Sequence, residues 1–302
     1  MLDLCCFSFT SSLHVLRVKH YPRANSGTTV SDLYGVLAPD APIMALLASY
    51  LGLKVGLISN NVGYDAVGEQ LIGLLSNFNV YTTVTAQTGL VTPVTVVLYD
   101  QKEIRTWFSF LPNVIESLLS IDLEMAKLTR LMYVDLYKII NEASLRAIRF
   151  ASQHDTPLFV NLGGDPLNKQ AVRVLRKAKV AIVQTSLDEL SKREPDDYIR
   201  EIQDLIQPDL SIVTLAQKGL VCATASSLIQ LPAYIFQTIH SNGAGAAFSA
   251  GFAYAYLNGW DLEKSLNFAS ALGGMYCTVK DGFGKFPAEV ILDFIDEQAK
   301  LK

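Results

Sequence analysis

Short apolar runs alternate along the chain with stretches whose apolar residues recur at helical spacing, a rhythm that predicts a sheet covered by helices. Residues 2–9 predict a buried strand, and residues 13–19 an alternating one that stops at Tyr21-Pro22. Residues 41–52 have helical composition and end on Gly52, and residues 54–59 form a short buried strand. Val67, Leu71, Leu74 and Leu75 mark a helix over residues 65–76. Residues 92–99 and 104–110 flank a polar turn at 100–103, a β-hairpin pattern. Strands follow at 131–134, 158–160, 180–184 and 210–215, interleaved with helices at 142–153 and 169–178. A helix over 248–257 stops at Asn258-Gly259, and Asp261 is placed to cap the next one. The early alternating strands and the hairpin predict a separate small sheet.

Composition narrows the class. The chain has 302 residues, 50% hydrophobic and 18% charged, with a net charge of -4. That length supports one large α/β domain. The mildly acidic balance gives no electrostatic reason for nucleic acid as a partner. No apolar run is long enough to span a bilayer, and the first residues lack the basic start of a signal peptide. Cys5, Cys6, Cys222 and Cys277 form no CxxC pair, so they read as buried reduced thiols of a cytoplasmic or otherwise reducing compartment.

Gly243-Ala244-Gly245-Ala246-Ala247-Phe248 carries the most chemistry. Two glycines around a small residue at a helix start bring free N–H groups together at the positive end of a helix dipole, which favours an anion. This run resembles the Gly-Ala-Gly-Asp-Ala-Phe signature of the ribokinase/PfkB family of sugar and nucleoside kinases. Other stations agree in order: Tyr21-Pro22, Gly27-Thr28-Thr29-Val30, Val62-Gly63-Tyr64-Asp65 before Gly68, and Thr92-Pro93 with Arg105-Thr106 in the hairpin. Thr214-Leu215-Ala216-Gln217-Lys218-Gly219 resembles the family's motif near the nucleotide, and Asn258-Gly259-Trp260-Asp261-Leu262 its C-terminal region. The resemblance implies a ribokinase-like α/β fold: a single domain over 1–302, a mostly parallel central sheet covered by helices, and a small β-sheet lid at roughly 13–37 and 90–110.

The resemblance also implies transfer of the γ-phosphate of ATP, with Mg2+, to a hydroxyl of a sugar or nucleoside. Its anion hole falls on Gly243, Ala244 and Gly245, but its catalytic base is an Asp where this chain has Ala246. Alanine has no titratable atom, and losing a positioned base costs about 10²–10⁴-fold in rate. The substrate end departs too. The early lid Asp falls on Leu13, and the Gly-Gly and Asn that approach the sugar fall at Ala38, Pro39 and Ile43. Asn161-Leu162-Gly163-Gly164-Asp165 stands where Asp-x-Asn-x-Arg is common, and Thr185-Ser186-Leu187-Asp188 where Asn-x-x-Glu is common. His240 replaces an Asp often used for a monovalent cation, which counts against a cation here.

Two functions stay open on these residues: an inactive or repurposed kinase that keeps nucleotide binding, and an active kinase with altered mechanism or substrate. The nucleotide would meet Thr214, Ala216, Lys218, Gly219 and Asp188, and the substrate Asn161, Asp165 and Arg105. Each has a plainer reading: Lys218 as an exposed turn residue, Asp188 as a helix-opening acid, Asn161 and Asp165 as turn residues around the glycines, Arg105 as surface. His240 reads either as a substitute base beside the anion hole or as a buried ring. Tyr276 reads as core. The small sheet's edge predicts a partner there, a second copy or another protein.

Overall fold

The computed structural model describes residues 1–35, 37–101, 104–187, 191–280 and 283–300. Its strands are β1 Leu2–Phe7, β2 Ser11–Val18, β3 Val30–Tyr34, β4 Leu37–Ala38, β5 Val55–Ile58, β6 Val62–Gly63, β7 Tyr81–Thr82, β8 Ala86–Gln87, β9 Val94–Tyr99, β10 Arg105–Phe110, β11 Thr129–Asp135, β12 Leu158–Asn161, β13 Val180–Ser186, β14 Leu210–Thr214, β15 Leu220–Ala223 and β16 Leu228–Leu231. The helices are α1 Asp40–Tyr50, α2 Ala66–Asn77, α3 Val114–Ser120, α4 Asn141–Gln153, α5 Lys169–Leu175, α6 Pro195–Ile206, α7 Ala244–Leu257, α8 Leu262–Tyr276 and α9 Ala288–Lys300.

One nine-stranded sheet runs in the order β16-β15-β14-β13-β12-β11-β1-β5-β7. The strands from β14 to β7 pair in parallel, and β15 and β16 close the other edge antiparallel. The alternation of side chains across a strand explains why these runs are apolar throughout. In β1, Leu4 and Cys6 join the core beneath α1, α7 and α8, while Cys5 and Phe7 join the core beneath α4 and α6. All four cysteines are buried and unpaired, as the sequence implied.

α7 and α8 pack with almost no space between them. A Cβ on Gly251 would lie 3.1 Å from the Ala269 Cα, and one on Gly273 3.2 Å from the Ala244 carbonyl. The small residues of α7 therefore serve close packing, and all but a few are buried. Asp65, Asn168 and Asp261 cap α2, α5 and α8 by accepting backbone N–H bonds, which accounts for where these helices begin.

The second sheet has the order β10-β9-β2-β3, with β4 also pairing β2. The hairpin read at 92–110 is β9 and β10, antiparallel from Arg105 opposite Tyr99 to Phe110 opposite Val94. One face of this sheet packs through Leu13, Val15, Val97 and Tyr99. Beyond these, β6 and β8 form a two-stranded parallel pair that local pattern did not announce. No helix among the described residues is long and apolar enough to cross a membrane.

Candidate functional site

β1 leads to β5 on one side of the sheet, whereas β11 returns to pair on β1's other side. The strand order therefore switches direction beside β1, and ligands of open α/β sheets bind outside the carboxyl ends of the strands at such a switch. A row of polar side chains marks that edge. Asp135 of β11 pairs in register with Asn161 of β12, and Asn161 with Gln184 of β13. All three are buried, and by alternation from Tyr133, Phe159 and Ile182 they project toward α1 and α7.

Both helix starts are anchored to this row. The Ala41 N–H at the start of α1 donates to Asp135 Oδ2 at 2.9 Å. Gln184 Nε2 donates to the Gly245 carbonyl at 3.3 Å, and Ser249 Oγ donates to Gln184 Oε1 at 2.6 Å. Asn161 lies between them. Its Nδ2 is 3.0 Å from each of Asp135 Oδ1, Asp40 Oδ2 and the Tyr137 hydroxyl, which itself donates to Asp40 Oδ2 at 2.8 Å. Burial and then the neighbouring Asp40 charge push the Asp135 carboxyl up to about 7.

The start of α7 has the form of an anion site. Gly243 is its N-terminal cap at φ +82°, in the left-handed region that glycine adopts without strain, and no side chain caps the helix. The Tyr276 ring packs against Gly243: a Cβ there would lie 2.8 Å from Tyr276 Cε1. Gly245 is open by comparison, with the nearest atom to a built Cβ 4.0 Å away. Ala246, at the position of the resemblance's base, is fully buried.

A narrow cavity of about 20 Å³ separates the small sheet from this end of the large one. Leu13, Val15, Leu37 and Phe283 give it apolar walls, and Tyr34, His240, Asn242 and Tyr276 also line it. Tyr276, read from sequence as core, thus also faces the cleft. His240 Nε2 donates to the Val279 carbonyl at 2.8 Å, and burial holds its ring below the ordinary imidazole range. A buried ring set edge-on to Tyr276 and tilted against Tyr34 matches the plainer reading of that residue.

The remaining candidates scatter. Arg105 is exposed on β10, on the sheet face it shares with Tyr99 and, through β2, with Val15 and Leu13. Asp165 Oδ2 accepts the Lys138 N–H at 2.8 Å and does not join the Asn161 cluster, so its visible work is to hold a turn. Thr214 donates to the Thr185 carbonyl at 3.3 Å at the end of β14. Ala216 and Lys218 are exposed on the following turn. At Gly219 (φ +99°) a Cβ would overlap the Leu231 carbonyl, so β16 already requires glycine there. Asp188 lies outside the described residues. Among the described residues no group of three or more His, Cys, Asp or Glu could hold a metal.

Asp40, Asp135, Tyr137, Gln184 and Ser249 escaped the sequence reading. The available signal was positional: Asp135 directly ends an apolar strand run, and Asp40 opens a helix after Pro39.

A mostly parallel sheet with helices on both faces, a small sheet across its carboxyl edge and an uncapped glycine-led helix facing that edge define a ribokinase-like α/β protein. The sequence profile of the pfkB family carbohydrate kinases matches residues 44–287, and the chain belongs to that family. Over 72 residues it is 39% identical to a nucleoside kinase of Methanocaldococcus jannaschii, a stretch covering 24% of this chain and 22% of that protein. The fold superposes on Arabidopsis thaliana ribokinase, determined with ribose and ATP, at a TM-score of 0.78 and 16% identity over 97% of this chain and 98% of that one. A ribokinase II-like protein of E. coli, determined with ATP and Mg2+, gives 0.77 at 17% identity, over 98% of this chain and 100% of that one. At such identities these likenesses establish the fold alone.

Proposed function

We propose that this chain is an ATP-dependent phosphotransferase acting on a hydroxyl of a sugar or nucleoside, in which α7 supplies the anion hole and no base. The observation that carries the reading is the uncapped start of α7, opened by Gly243 and tied through Gln184 to the polar edge of the sheet. Its N–H groups suit the transferring phosphate, where charge builds up during the reaction. Thr214, Ala216, Lys218 and Gly219 would flank the nucleotide on the β14–β15 side. Magnesium would then ride on the nucleotide's own phosphates.

The apolar walls of the cleft favour a nucleoside over a bare sugar, because a ring of free hydroxyls would leave polar groups unmatched there. A cavity of about 20 Å³ between these walls holds no more than a water molecule. Arg105, exposed on the cleft-facing side of the small sheet, would meet the substrate or its phosphates.

A second reading, a catalytically silent nucleotide binder, is favoured by Ala246, which has no titratable atom. Both readings share nucleotide binding, so a thermal shift with ATP and Mg2+ comes first. Ligand held at 100 times its Kd stabilises by about 2.7 kcal/mol, so a saturable rise in Tm is expected. No shift at millimolar nucleotide would overturn both. Radiolabel transfer from ATP to nucleosides then separates them: phosphorylated product supports the catalytic reading and its absence the silent one.

We also infer a homodimer through the small sheet. Its outer face and free edge expose Leu33, Trp107, Phe108 and Phe110 at 59–63%. An exposed apolar edge strand of this kind is ordinarily covered.

A further inference from the structure

We propose that Asp40 is the proton acceptor for the substrate hydroxyl, replacing the carboxylate that α7 lacks at Ala246. This rests on the phosphotransferase reading above.

Asp135 and Gln184 stand in register two strands apart, roughly 10 Å at the usual strand spacing. Asp135 fixes the start of α1 and Gln184 the start of α7, and the two helices pack along each other. Asp40, the first residue of α1, is therefore held beside the glycine-led turn of α7, at the carboxyl edge of the sheet. Tyr276 spans the same gap: its ring covers Gly243, and the Asp40 charge, after burial and Cys277, helps push its phenol up.

Asp40 is also built to accept a proton. Its Oδ2 is occupied, taking hydrogen bonds from Tyr137 at 2.8 Å and Asn161 at 3.0 Å. Its Oδ1 has no partner among the described residues, and the side chain is only half-buried. Two donors locking one oxygen leave the other aimed, as a positioned base requires. Asp135 is the opposite case: fully buried, with Asn161 on Oδ1 and the Ala41 N–H on Oδ2. It positions; it does not touch substrate. His240 spends its Nε2 hydrogen on Val279 and sits buried under two tyrosines.

The step balances without another reactant. The acceptor oxygen bonds to the γ-phosphorus of ATP, the bond from that phosphorus to the β,γ-bridging oxygen breaks, ADP leaves with the electron pair, and the hydroxyl proton passes to Asp40 Oδ1.

The test is transfer from γ-labelled ATP with Mg2+ to adenosine, inosine, cytidine and D-ribose by the full chain and by Asp40→Asn, Asp40→Ser and His240→Gln. Asparagine keeps an oxygen for Tyr137, and serine is the second variant should the amide disturb folding, which Tm reports. Both Asp40 variants should lose about 10²–10⁴-fold in kcat, while the calorimetric Kd for ATP stays within about threefold, the pattern of a group acting only in the transition state. Folded Asp40 variants with wild-type kcat, or a loss confined to His240→Gln, would overturn the assignment and leave the phosphotransferase reading standing. No transfer by the wild-type chain to any acceptor, with ATP still bound, would overturn both the assignment and that reading.

Discussion

Asp135 is a carboxyl group shut away from water one amide nitrogen from a second carboxyl, and that arrangement has a measurable consequence. Its folded value, about 7, stands above the ordinary 3.8. The folded chain thus binds more protons than the unfolded one between those values, and this group's contribution to stability falls as pH rises through that window. Asp135→Asn removes the titration. The Tm of the wild type relative to Asp135→Asn should therefore decline from pH 5 to pH 8, and a constant difference would contradict the burial argument. At Gly243 the expectation is steric. A side chain there meets both a left-handed backbone and the Tyr276 ring, so Gly243→Val should cost about 1–3 kcal/mol and weaken nucleotide binding, read by denaturant melts and calorimetry. Gly243 was legible in sequence because glycine announces backbone demands. Asp40 and Asp135 were not, because a carboxylate's meaning depends on the strand register that brings it to a partner, and register is a tertiary fact.

Among elements, the small sheet is the part most open to test. Thr106, Phe108 and Phe110 pair opposite Leu98, Val96 and Val94, which gives the outer face an apolar surface without a covering layer in one chain. Phe108→Lys with Phe110→Lys should convert a dimer to a monomer in sedimentation with little change in monomer stability, since both side chains are exposed. A wild type that sediments as a monomer would remove the dimer from the account. Most strands and helices were visible in the pattern because buried parallel strands are short continuous apolar runs between amphipathic helices. The pieces that escaped were α3, α6, α9, β15 and β16, together with β4, β6, β7 and β8; these last four are each two residues long, where local sequence carries no period and pairing is decided by distant chain.

At the scale of the molecule, the small sheet lies across the carboxyl edge of the large one, where the uncapped start of α7 carries Ala246 at the position of the resemblance's base. The fold was legible because the family's stations recur in order along the whole chain. The alanine at 246 was legible too, but not the carboxylate of Asp40 at the same edge, which only the packing of α1 against α7 reveals. The account stands on the start of α7 being a phosphate site, and calorimetric titration of ATP with Mg2+ into the wild type and Gly243→Val tests that most directly. The account predicts saturable binding by the wild type and binding weakened about tenfold or more, roughly 1.4 kcal/mol, in the variant. No heat at millimolar nucleotide, or equal affinity in a folded Gly243→Val, would contradict it.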